Sequence, residues 1–197
     1  MNNPQQPLEY DAVLGGENQI SSSHDLKMTT ERAINLLKAG TAGIKAWNLF
    51  RQNETYLPSL EGVDLSGEHL TNANLQGVNL KNSKLVKANL TRVNLINADL
   101  QEVDLSESNL SDANLQGVNL SDAIFSEAEL YQCDLESANL TETKFDNAYL
   151  ASAKLQNSII ANTSFLNTNL EYADVTGTKF FFAYLNKTTN TNGTKGI

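Results

Sequence analysis

The sequence contains a single cysteine, Cys133, in 197 residues. No disulfide can form within the chain, so cross-links are excluded as a source of stability. Histidine is nearly as scarce. His24 and His69 are the only two, and neither lies at motif spacing from a metal ligand or a nucleophile. No apolar run approaches the roughly 18 residues that cross a bilayer, and no charged-then-apolar leader marks export. The expectation is a soluble, cytoplasmic protein that does not span a membrane. Positive charge is in short supply, with 14 Lys and Arg against 23 Asp and Glu and a net charge of −9. That balance weighs against direct nucleic-acid binding. No glycine-rich phosphate loop is present; Gly67, Gly77, Gly117 and Gly177 stand singly, as corner residues would. The many carboxylates follow a repeat, so acid pairs arise by default. No enzyme, metal or cofactor is therefore expected.

What is present is a period of five. A large apolar residue falls on every fifth position from Leu65 to Leu185, 25 in succession, through Leu70, Leu75, Leu120, Phe125, Phe145, Ile160 and Phe165. With the large residue called i, position i−2 is small or β-branched, as at Val63, Ala73, Val78 and Ala113. Position i−1 is mostly Asn or Asp, as at Asp64, Asn74, Asn79 and Asp99. Positions i+1 and i+2 are polar or turn-forming, as at Gln76-Gly77. Five matches neither a helix nor a strand. Yet i−2 and i share one side of a short extended segment, and the polar residues between can turn a corner. A chain turning alike every five residues must coil, which is the signature of a solenoid. Phe125, Phe145 and Phe165 are spaced by twenty, so four sides per coil would stack their rings. Cys133 falls at an inward i−2 site and reads as a small core residue.

Runs such as Ala73-Asn74-Leu75-Gln76-Gly77 and Ala113-Asn114-Leu115-Gln116-Gly117 resemble the A(D/N)LXX motif of the pentapeptide-repeat family. The resemblance covers about two-thirds of the chain. It implies an all-β solenoid, a right-handed quadrilateral β-helix of about six coils, some 30 Å long at ~4.8 Å per coil. Toward the C-terminus the pattern weakens. Thr143, Ser158, Thr163, Thr168 and Thr178 stand at i−2, and Lys144, Tyr149, Lys154, Ile159 and Lys179 at i−1, so less regular corners are expected there.

In chain order, residues 1–25 read as a disordered leader. Its Tyr10–Gly16 piece resembles a leader of cyanobacterial repeat proteins, or is a plain solvated tail. Residues 26–56 read as a short N-terminal α-helical cap, with one helix over Thr29–Lys38 and a second over Ala42–Gln52. The segment Gly43 to Arg51 is similar to the G-x-x-x-WN-x-x-R lead-in of bacterial pentapeptide-repeat proteins. The first coil of an open solenoid exposes strand edges and core, and helices carrying Trp47 and Phe50 can plug it. A partner-docking helix is the alternative. Residues 57–187 form the repeats and 188–197 a disordered tail.

Three surface features remain. Glu102, Asp122 and Glu142 share one acidic column, with Glu107 and Glu127 in the next. They read as a solvated face or as a surface imitating DNA, the manner in which quinolone-resistance relatives protect gyrase. Lys81, Lys84, Lys87 and Arg92 make an early basic stretch. Tyr131, Tyr149 and Tyr172 fall on a single face at outward positions, and Ile159, Leu166, Phe181, Phe182 and Tyr184 also point outward in the C-terminal third. Exposed apolar surface of this kind marks an interface, either for a two-fold homodimer through the C-terminal end or for an unidentified protein partner. The expected function is a non-catalytic protein-binding or scaffold rod; the alternative is a DNA-mimicking modulator of DNA gyrase.

Overall fold

The computed structural model describes residues 28–53, 56–187 and 189–196. The leader, with its Tyr10–Gly16 piece, lies outside them. Two helices come first. Helix α1 spans Thr30–Lys38 and α2 spans Gly40–Asn53. The Thr29 hydroxyl accepts the Arg32 N–H, Glu31 stands in the first turn and Lys38 in the last, so α1 is capped and its dipole answered at both ends. Gly40 sits at φ +61°. That left-handed conformation ends α1, and α2 follows at once, two residues earlier than the expected Ala42. A Cβ at Gly43 would collide with the Leu36 carbonyl oxygen, so only glycine lets the two helices turn back this tightly. Among the described residues, no helix is long and apolar enough to cross a membrane.

From Leu60 onward the chain coils. Position i−1 of every pentad bridges in parallel to the residue twenty further on, from Asp64↔Lys84 to Ser164↔Tyr184. Twenty residues make four pentads, so each coil has four sides. On one side two pentads extend into named strands, β1 (Ile159–Ala161) and β2 (Lys179–Phe181), paired with Ile160 opposite Phe180. The i residues from Leu60 to Leu155 are all fully buried, each contributing about 1.5–3 kcal/mol before chain entropy offsets the sum. The rings of Phe125, Phe145 and Phe165 stack at 4.9 and 5.3 Å between centroids. Cys133 is buried, and burial pushes its thiol well above the usual range.

Apart from the corners after Ile160 and Phe180, which open into β1 and β2, each corner has one construction. The N–H of i+3 donates to the carbonyl of i, as from Val78 to Leu75, and i+2 lies at φ between 52° and 72° from Gly62 to Phe182. The i−1 Asn or Asp locks the corner by accepting the N–H two residues on, as Asn74 does from Gln76 and Asp104 from Ser106. That is the physical reason for Asn and Asp at i−1.

In the C-terminal third the expected irregularity is present, and the expected disordered tail is not. The corners after Ile160 and Phe180 open into β1 and β2 without the closing turn seen elsewhere. The Ser158 and Thr178 hydroxyls at i−2 have no partner among the described residues, but the other i−2 threonines add bonds that keep the coils in register. The hydroxyls of Thr143, Thr163 and Thr168 donate to the carbonyls of Leu120, Leu140 and Phe145 in the coil before. The stretch expected as a disordered tail also continues the stack. Asn190 bridges Asn169, and Lys195 bridges Asp174. The step is 21 there rather than 20, so one residue is inserted. The hydroxyls of Thr189 and Thr194 donate to the Phe165 and Leu170 carbonyls. The core positions have become Thr191 and Gly196, which is why no apolar period announced this turn.

Candidate functional site

The hydrogen bonds between coils are not balanced along the axis. On each side, the N–H groups of i and i+2 donate to the following coil, as Leu80 does to Asp99 and Asn82 to Gln101. One N–H returns, as from Asp99 to Val78. The N-terminal edge of the stack is therefore rich in carbonyls, and the C-terminal edge is rich in N–H donors.

The N-terminal edge is answered by α2. The Trp47 Nε1–H donates to the Asn74 carbonyl at 2.8 Å. Arg51 donates from Nε to the same carbonyl and from Nη2 to that of Gln76, at 3.2 and 2.6 Å. Asn48 accepts the Asn74 N–H on Oδ1 at 2.8 Å and donates from Nδ2 to the Asn72 carbonyl at 2.9 Å. The Asn74 N–H and the Asn74 and Gln76 carbonyls are the groups that a preceding coil would have paired; the Asn72 carbonyl, at i+2, is an additional contact. Partial burial pulls the Arg51 pKa down from its ordinary value. Trp47 and Phe50 are buried beneath, with ring centroids 5.7 Å apart. Asn48 and Arg51 were visible in the WN-x-x-R run, but only the paired edge shows what each one does.

The corner columns carry the charges. Glu102, Asp122 and Glu142 are exposed at left-handed corners, φ 58–61°. They stack in one column that ends at Phe182, and no ion pair engages them among the described residues. The two following columns are partly neutralised. Lys87 pairs with Glu107 at 3.3 Å, and Arg92 approaches Asp112 at 3.8 Å. No group of three or more His, Cys, Asp or Glu among the described residues could hold a metal ion.

The register divides the expected aromatic surface in two. Phe181, Phe182 and Tyr184 lie at the corner that continues the acidic column, together with Ile159 and Leu185, all exposed. Tyr149 lies two sides away, with Tyr131, and Tyr172 occupies the diagonally opposite corner, its ring against Gly193. Only the first group surrounds the C-terminal end of the stack. Phe182 is 82 % exposed at φ 59°, a conformation costing about 1–2 kcal/mol for a residue that is neither Gly nor Asn. Beside this group a cavity of about 540 Å³ opens over Ile160, Phe165, Leu170 and Val175. On the perimeter of the same end stand Lys179, Lys187 and Lys195, all exposed.

A model of pentapeptide repeats matches the chain in eight copies, over residues 59–91, 73–112, 88–126, 113–150 and 148–181. No curated protein matches the chain significantly. Among solved structures, it is similar to HetL, a pentapeptide repeat protein involved in heterocyst differentiation regulation from the cyanobacterium Nostoc sp. strain PCC 7120. Identity is 25 %, covering 73 % of this chain and 71 % of that one, with a TM-score of 0.40. A pentapeptide repeat protein from the Arabidopsis thaliana thylakoid lumen gives 26 % identity over 66 % and 77 %, with a TM-score of 0.40. QnrB1, a plasmid-mediated fluoroquinolone resistance protein, gives 15 % identity over 65 % and 86 %, with a TM-score of 0.37.

Proposed function

The chain belongs to the pentapeptide repeat family, whose repeats imply a right-handed β-helix, and from that premise we propose that it is a non-catalytic, protein-binding rod. The rod is a quadrilateral β-helix closed at its N-terminal edge by α1 and α2, and it docks a protein partner at its C-terminal end. One observation carries this reading. Phe181 and Phe182 are 55 % and 82 % exposed, and Phe182 holds a left-handed corner where Asn or Gly stands in much of the stack. Left-handed φ recurs at every corner; what sets Phe182 apart is a large apolar ring exposed beside Phe181 at the end of the stack, and contiguous exposed apolar surface marks an interface.

The test is a pull-down from native lysate with the wild type beside a Phe181→Ser/Phe182→Ser variant, with gyrase supercoiling assayed on the same samples. A partner retained by the wild type and lost by the variant supports the docking end. A partner retained equally by both refutes it. The second reading, a DNA-mimicking modulator of DNA gyrase, is favoured by the unpaired column of Glu102, Asp122 and Glu142. It predicts an effect on supercoiling that Glu102→Gln/Asp122→Asn/Glu142→Gln abolishes. The cations at Lys87 and Arg92, paired into the neighbouring columns, weigh against a continuous acidic face.

A further inference from the structure

The chemistry of the C-terminal end specifies its partner more closely, given the docking reading above. Three observations converge there. The first is the backbone. In every coil the N–H groups of i and i+2 point toward the C-terminal end. In the last coil those of Phe182, Leu185, Thr191 and Gly196 have no partner among the described residues. The edge thus offers more donors than acceptors, and a chain laid along it must supply acceptors.

The second is charge. From Val175 to Ile197 the sequence holds Lys179, Lys187 and Lys195 and no Asp or Glu. The register places these lysines around the perimeter, on one side, at a corner and on another side. Lys195 partly answers Asp174 in the coil before; Lys179 and Lys187 have no ion pair among the described residues. The lysines add to a donor-rich edge instead of neutralising it, whereas Arg51 at the opposite edge meets carbonyls. The third is the apolar group of Phe181, Phe182 and Leu185 beside the cavity over Ile160 and Phe165. A second copy of this end would bring lysines against lysines and donors against donors, which disfavours the two-fold homodimer.

We propose that this end takes an extended, acidic segment of a partner protein, added as a further strand along the donor-rich edge. Its carbonyls accept the free N–H groups. Its apolar side chains meet Phe181, Phe182 and Leu185, and its carboxylates lie among Lys179, Lys187 and Lys195. Strand addition draws affinity from main-chain hydrogen bonds and selectivity from side chains. The opposite charges also speed encounter at low salt.

The test uses three fluorescent decapeptides in which valine alternates with glutamate, glutamine or lysine. Binding to the full chain is followed by anisotropy. The glutamate peptide is expected to bind about tenfold or more tighter than the glutamine one, with the lysine peptide weakest. The preference should vanish in Lys179→Gln/Lys187→Gln/Lys195→Gln and shrink as salt rises. Phe182→Asn, a residue at home in the left-handed corner, should weaken all three peptides without lowering the thermal melt. Equal binding of the glutamate and glutamine peptides overturns the acidic partner and leaves the docking end standing. Binding unchanged by both Phe182→Asn and Phe181→Ser/Phe182→Ser overturns the docking end itself. Failure of every peptide to bind, with light scattering showing a stable dimer, assigns the end to a second copy and overturns the proposal; the same failure with a monomer overturns it too.

Discussion

Replacing Asn48 by leucine removes one donor and one acceptor from the N-terminal edge while keeping the branched outline of the side chain. The Asn74 N–H then faces no acceptor in a part-buried position, which costs about 1–3 kcal/mol. The Asn72 carbonyl, on the exposed side, regains water and costs about 0.5–1 kcal/mol. The sum is about 1.5–4 kcal/mol, or a fall of roughly 3–16 °C in Tm for a chain of this size. In a solenoid, a loss at one end is felt first by the adjoining coil. Urea denaturation should therefore be accompanied by hydrogen exchange at the Asn74 amide, which should lose protection before the amides of Leu110 or Leu115 change. Trp47→Phe is the internal comparison. It deletes the Nε1–H, but the Asn74 carbonyl keeps Arg51 Nε at 3.2 Å, so the hydrogen-bond part of the cost should stay near about 1 kcal/mol or below; the smaller ring at a fully buried site adds a cavity cost that exchange at Asn74 does not report. An Asn48→Leu variant with an unchanged urea midpoint and unchanged exchange at Asn74 would refute the claim that this side chain stands in for a strand.

Three other consequences follow from the same geometry. Phe182→Asn should raise the stability of the isolated chain by about 1 kcal/mol, because asparagine tolerates φ near 59° where phenylalanine is strained; calorimetry reads the sign. Thr163→Val removes the hydroxyl donated to the Leu140 carbonyl and should cost about 1 kcal/mol in denaturant melts, since that carbonyl still accepts the Thr143 N–H. The carboxyls of Asp64 and Asp174 are held below the usual range, the first chiefly by the Ser66 backbone N–H and the second by the Thr176 hydroxyl. Their folded pKa lies below the unfolded one, so their stabilisation is present above the unfolded pKa and is lost as pH falls through the folded value. Asp64→Asn/Asp174→Asn should flatten that acid limb of Tm against pH while keeping both corners.

The coil, its four sides and its buried columns were legible because each pentad states the same local rule, and a rule repeated 25 times in sequence leaves little to chance. The Phe125, Phe145 and Phe165 spacing gave the number of sides for the same reason. Residues 189–196 were not legible because Thr191 and Gly196 replace the large residue and one insertion shifts the frame. Asn190 at i−1 and Gly193 at the corner were the surviving signals. The period of twenty already set Tyr131, Tyr149 and Tyr172 on a face of their own, apart from Phe181 and Phe182. What it did not show is which of the two groups rims the C-terminal end of the stack. The axial imbalance of N–H and carbonyl groups was invisible for a different reason. It belongs to the backbone, and no side chain records it except at the edge, where Trp47, Asn48 and Arg51 answer it.

The account rests most on a stack closed at its carbonyl-rich end and open to a partner at its donor-rich end. Hydrogen exchange at single-residue resolution tests that directly, by comparing the amides of Phe182 and Leu185 with those of Asp122 and Phe125, which sit at equivalent positions and donate to the coil below. In the full chain, at concentrations where light scattering reports a monomer, Phe182 and Leu185 should exchange freely while Asp122 and Phe125 stay protected. Strong protection of Phe182 and Leu185 in that monomer would mean that the end is already covered, and would contradict the account.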